Sequence, residues 1–205
     1  MTIKNFGGRV KSVWEGLRPL TKKMLVGAMQ ANGEKPANTS TQKFSYDAHA
    51  DWELSRLLSA LDEQSTEPEI IKDPEKLNEI KQMAETCARV LQSKTESAEV
   101  FIQLAERALA RNNYNLLDRL GDTLSERFSA GEVAEVIRQT KIPHISAIAY
   151  ETLAMKNVSA IMPLLEDSIY FEIARNVLEQ QAFEFDNDEA QAILDEMDFE
   201  DFDFE

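Results

Sequence analysis

The chain has 205 residues, 43% of them hydrophobic, so it is long and apolar enough to bury a core. Its net charge of −15 disfavours direct nucleic-acid binding, because most of its surface would repel a phosphate backbone. One Cys excludes an intramolecular disulfide framework, and no apolar run reaches the ~20 residues of a membrane-spanning helix. With only seven Gly and six Pro, the composition predicts an all-α protein. The single Cys suits a reducing compartment, so a cytoplasmic location is expected.

Residues 1–30 are predicted to be a basic amphipathic helical segment. They carry six Lys and Arg side chains and one Glu, a net charge of +5, and their apolar residues recur at helical spacing. Pro19 is expected to kink the helix or to begin a second one. The segment either docks on an anionic membrane or an acidic partner, or packs on the acidic remainder of the chain. A mitochondrial-type presequence has a similar composition.

The candidate docking residues combine the apolar stripe of this segment with neighbouring cations. They are Phe6, Val13, Trp14, Leu17, Lys22 and Lys23. If they contact a membrane, the protein is peripheral on its inner face.

Residues 31–45 contain almost no large apolar side chains and are predicted to be a flexible linker. Residues 46–182 are predicted to form one helical domain. Eight helices are expected in this domain. They are residues 46–61, a helix that begins after the cap Asp73, residues 96–111, residues 114–128, a helix after Ser129, a helix that begins at Pro143, residues 158–165 and residues 168–180. Residues 62–73 are expected to be a loop, and Ser129 with Glu132 predicts a capping box.

Short connections predict antiparallel helical hairpins, either stacked as a short α-solenoid or packed as an irregular bundle. In Val158–Leu178, a Pro-Leu-Leu-x-Asp ending precedes a face with Ala and Leu at helical spacing. This stretch resembles one HEAT-type repeat, and the resemblance implies a stacked helical-repeat fold that presents a binding groove. Glu172 departs from the pattern, since such repeats often have Arg early in the second helix.

Residues 183–205 are predicted to be an acidic, Phe-rich tail. Between residues 184 and 205 there are eleven acids and no Lys or Arg. Residues 188–197 have the apolar spacing of one short helix, and self-repulsion is expected to keep the last eight residues extended. The tail is similar in composition to the acidic, Phe-bearing tails of bacterial single-stranded-DNA-binding proteins, which recruit partner proteins. It lacks their terminal Pro-Phe. Phe199, Phe202 and Phe204 are the candidate interaction residues, and the alternatives are a solubilising tail or intramolecular contact with the basic segment.

No motif for catalysis, cofactor binding or metal binding is evident. Cys87 lies on an apolar stripe and predicts a buried thiol. His49 is predicted to be a surface residue, and His144 follows Pro143 at a helix start, where a polar side chain is common. One Cys with two distant His residues does not make a zinc site. The sequence therefore predicts a non-catalytic interaction or adaptor protein without cofactors. The alternative is an acidic nucleic-acid mimic or regulator that binds a basic surface of a partner protein.

Overall fold

The computed structural model describes residues 6–30 and 47–202, with side chains as far as Met197. Throughout these ranges the chain forms helices and no strand, which confirms the all-α prediction. It divides into two compact units, residues 1–95 and 96–205. This division falls inside the region 46–182 that the sequence suggests as one domain.

Five helices make up the described part of the N-terminal unit. They are α1 (Gly8–Gly16), α2 (Pro19–Gln30), α3 (Ala48–Gln64), α4 (Pro68–Ile71) and α5 (Pro74–Lys94). Helix α3 packs on α5, α1 packs on α3, and α2 contacts both α5 and α3. The core between them includes Leu54, Leu57 and Leu61 of α3 and Ile80 and Leu91 of α5, all fully buried.

Two prolines, Pro19 and Pro68, explain the outcome of two local predictions in this unit. Pro19 begins a separate helix, α2, which is the second of the two outcomes predicted for it. The predicted loop over residues 62–73 is wrong in part, because it contains α4. Pro68 fixes the backbone for the first turn of α4, and Ile70 is buried, so a short helix replaces part of the loop.

Seven helices make up the described part of the C-terminal unit. They are α6 (Ala98–Ala110), α7 (Tyr114–Arg127), α8 (Ala130–Gln139), α9 (Pro143–Ala154), α10 (Val158–Leu165), α11 (Phe171–Glu184) and α12 (Asp188–Phe202). Consecutive helices pair as α6 with α7, α8 with α9, and α10 with α11. In addition α6 contacts α8 and α8 contacts α10, while α7 contacts α9 and α9 contacts α11. These contacts form two layers, as in a stack of three helical hairpins.

The hairpins begin at residues 98, 130 and 158, about 30 residues apart, which lies within the usual length of helical repeats. Each connection between successive helices from α6 to α12 is two to five residues long, as predicted. The stretch that resembles a HEAT repeat, residues 158–178, falls on the third hairpin.

Hydrogen bonds at the helix starts explain several boundaries. Asp73 accepts from the Lys76 amide at 3.1 Å, which confirms it as the cap of α5, and Ser129 Oγ accepts from the Glu132 amide at 3.2 Å. The hydrogen bond to Ser129 Oγ is one half of the predicted capping box. The Glu132 carboxylate accepts from the Ala98 amide at 2.8 Å, so a side chain of α8 caps α6.

The predicted helix over residues 188–197 is confirmed as part of α12. The extended conformation predicted for residues 198–205 is wrong for 198–202, because α12 continues to Phe202, and residues 203–205 lie outside the described residues. Ala190 and Leu194 are buried, and α12 packs on α11, so one face of the helix gains apolar contacts. Asn187 caps its start, because its Oδ1 accepts from the amides of Glu189 at 3.1 Å and Ala190 at 3.3 Å. Acids in the first turn of α12 are also favourable for the helix dipole.

Candidate interaction surfaces

The basic N-terminal segment is folded onto its own unit. Phe6, Val10, Leu17 and Leu25 are at most 4% exposed. They are apolar positions of the stripe that the sequence shows, and this stripe faces the core because α1 and α2 pack on α3 and α5. Two of the six predicted docking residues, Phe6 and Leu17, therefore belong to the core of the N-terminal unit.

A buried carboxylate on α3 joins this segment to the unit. The Glu53 side chain is 5% exposed, and its Oε1 accepts from the Arg18 backbone amide at 2.8 Å. Its Oε2 accepts from Arg18 Nε at 3.1 Å and from the Thr21 hydroxyl. Arg18 and Thr21 stand at the start of α2, so Glu53 supplies acceptors to the N-terminus of that helix.

The same arginine binds a second acid. Arg18 donates two hydrogen bonds to Asp47, at 2.7 and 3.0 Å, in the paired geometry typical of arginine and carboxylate. Asp47 also caps α3, since its Oδ1 accepts from the Ala50 amide at 2.8 Å. Arg18 thus links the start of α2 to the start of α3.

The electrostatics of this cluster favour its charged form. Hydrogen bonds from Arg18, and then from the Ala50 amide, hold the pKa of Asp47 well below its usual range. Burial opposes ionisation of Glu53, but the hydrogen bonds from Thr21 and Arg18 outweigh it and leave the pKa of Glu53 below its ordinary value. Hydrogen bonds to Asp47 and Glu53 raise the pKa of Arg18.

The opposite side of the segment is exposed and basic. Leu20 and Val26 are each 40% exposed, and Lys23 is exposed as well. The helical spacing of 100° per residue places these three on the side of α2 that is turned away from the buried Thr21 and Leu25.

Trp14 and Lys22 adjoin this surface. Lys22 Nζ lies 5.9 Å from the centroid of the Trp14 ring and donates to the Glu15 carbonyl at 3.1 Å. Both residues are half-buried, as is Val13, so their outer parts are accessible. We call the set Trp14, Leu20, Lys22, Lys23 and Val26 the basic outer face. It contains three of the six predicted docking residues, together with Leu20 and Val26.

The negative charge is concentrated in the other unit. Residues 96–205 contain 24 Asp and Glu side chains against eight Lys and Arg, a net charge of −16. Of the three predicted tail residues, Phe199 and Phe202 lie in α12 by their backbone, but their side chains are outside the described part of the chain. Phe204 lies outside the described residues.

The side chains with potential for catalysis or metal binding, Cys87, His49 and His144, lie apart from any such site in the described residues. Cys87 is fully buried and His49 is exposed, as predicted, and His144 is exposed as well. Within residues 6–30 and 47–202 there is no cluster of three or more His, Cys, Asp or Glu side chains that would hold a metal ion. Across the same part of the chain, no helix is both long and apolar enough to cross a membrane.

Comparison of the chain with protein-family models, with curated proteins and with solved structures finds no match in any of the three.

Proposed function

We propose that this chain is a non-catalytic interaction protein that docks on an anionic membrane surface through the basic outer face. The observation that supports the proposal is the pairing of Lys22 and Lys23 with the exposed apolar residues Leu20 and Val26. Peripheral proteins combine apolar contact with attraction to anionic lipids in this way. Docking of this kind leaves the helix in place on its unit.

The burial of Phe6 and Leu17 refines the docking hypothesis. Insertion of the whole apolar stripe into a membrane would first require α1 and α2 to leave α3 and α5, with loss of the Glu53 hydrogen bonds. Docking through the basic outer face requires no such release. We therefore place the contact on the cations and on the exposed side chains around them.

Co-sedimentation with vesicles tests the proposal. The full-length protein is expected to bind vesicles of phosphatidylglycerol and phosphatidylcholine, and to leave pure phosphatidylcholine vesicles unbound. A basic residue near an anionic surface contributes about 1 kcal/mol, so Lys22→Gln with Lys23→Gln should weaken binding by roughly thirtyfold. The matched control is Lys72→Gln with Lys141→Gln, which makes the same charge change at exposed positions outside α1 and α2.

A third variant distinguishes surface docking, through the basic outer face, from docking by release, in which α1 and α2 first leave α3 and α5. Glu53→Gln weakens the attachment of α2 to α3 without changing any residue of the basic outer face. Surface docking predicts unchanged binding for this variant, whereas docking by release predicts stronger binding. Equal binding by the wild type and by the Lys22, Lys23 variant would refute the proposal.

A second candidate function is favoured by the charge of residues 96–205. A surface of net charge −16 is suited to a basic surface on another protein, including one that binds nucleic acid. The chain would then act as an acidic regulator. Competition between this protein and DNA for a captured basic partner would support this function, and simultaneous binding of both would contradict it.

The hairpin stack supports a further proposal, that residues 158–178 form a HEAT-type repeat. Helices α10 and α11 pair as the third hairpin and contact the layers before them. A stack of this kind offers an extended surface for a protein partner.

A further inference from the structure

We draw no further inference here: the strongest candidate, the exposed and uncharged side of α10 with Met155 and Ile169 exposed in the connections before and after that helix, is an apolar face, and nothing in the described part of the structure shows what covers it.

Discussion

Glu53 and Arg18 are joined by two hydrogen bonds, one to the backbone amide at 2.8 Å and one to Nε at 3.1 Å. The carboxylate is buried on α3, and the arginine precedes α2, so this contact connects elements that lie on either side of residues 31–46 in sequence. Glu53 also accepts from the hydroxyl of the buried Thr21, so the contact lies on the side of α2 that faces the core, opposite the basic outer face.

Replacement of the carboxylate by an amide is expected to destabilise the N-terminal unit. Glu53→Gln keeps the size of the side chain but gives Arg18 a weaker acceptor, so the free energy of unfolding should fall by about 1–3 kcal/mol. Both tryptophans of the chain, Trp14 and Trp52, lie in this unit, so urea unfolding followed by their fluorescence reports on it.

Glu63→Gln is the matched control, with the same substitution on the same helix. The Glu63 side chain is 53% exposed and pairs with Arg9, whose side chain is 65% exposed. An exposed ion pair contributes only about 0–1 kcal/mol, so this variant should stay close to wild type. Equal losses for the two variants would show that Glu53 has no special role.

The pH dependence of stability follows from the lowered pKa values of Asp47 and Glu53. A carboxyl whose pKa is lower in the folded state stabilises the fold above its unfolded-state pKa and loses that contribution as the pH falls. Stability should therefore be constant near pH 6–7 and decline below about pH 4.5, where unfolded carboxyls begin to bind protons.

Urea unfolding of the N-terminal unit at several pH values checks this expectation. The double variant Asp47→Asn with Glu53→Gln should show a shallower decline between about pH 5 and pH 3, because two of the responsible carboxyls are absent. An unchanged slope in the double variant would contradict the assignment of the acid sensitivity to the Arg18 cluster.

The cap that α8 supplies to α6 yields a prediction for the C-terminal unit. Glu132→Ala removes the acceptor of the Ala98 amide and should cost about 1 kcal/mol. The same change should speed hydrogen exchange in the first turn of α6, which amide exchange measured by NMR detects. Glu151→Ala, at an exposed acid of α9, is the control and should leave the exchange of α6 unchanged.

Gly7 is required by its backbone conformation. Its φ of +117° is rarely adopted by L side chains, and an added Cβ would lie 2.2 Å from Gln64 Oε1. Gly7→Ala should therefore destabilise the N-terminal unit by about 1–3 kcal/mol. The neighbouring Gly8→Ala, where a Cβ meets no atom within 4 Å, should be neutral or stabilising by up to about 1 kcal/mol. Similar effects of the two substitutions in thermal unfolding would contradict this distinction.

The features that sequence predicts correctly are local. Helical spacing of apolar residues and caps such as Asp73 predict most helices, because both signals lie within a few residues of the element they define. The sequence does not predict the short α4, because four residues carry too little periodicity to distinguish a helix from a loop.

The partners of polar side chains are harder to predict because they are distant in sequence. Glu132 has the spacing of a capping box with Ser129, but no local pattern indicates that its carboxylate caps a helix that begins 34 residues earlier. Glu53 and Arg18 are 35 residues apart, and neither stood out before the fold placed them together. Gln181 gives no signal of its own, since its hydrogen bonds to the carbonyls of Ala154 and Lys156 depend on the geometry of the α9–α10 turn.

The residues at which the helical hairpins begin can be recognised only from the tertiary contacts. Among the helix starts that the sequence marks, those near residues 113, 143 and 168 belong to the second helices of the three hairpins. The start near residue 74 belongs to α5 of the N-terminal unit, and the four starts show no constant spacing. The contacts of α6, α8 and α10 place the hairpin starts at 98, 130 and 158 instead. Ser129 marks one of these starts, but nothing local distinguishes a first helix from a second.

The most direct test of docking through the basic outer face is the emission of Trp14 in the variant Trp52→Phe, which leaves it as the only tryptophan. Anionic vesicles should shift this emission to shorter wavelength, and salt should reverse the shift because exposed charges are screened. The companion variant Trp14→Phe retains Trp52, which is 56% exposed on α3 and lies outside the basic outer face, and its emission should not shift. An unchanged Trp14 emission with anionic vesicles, or an equal shift of both tryptophans, would contradict the proposed mode of docking.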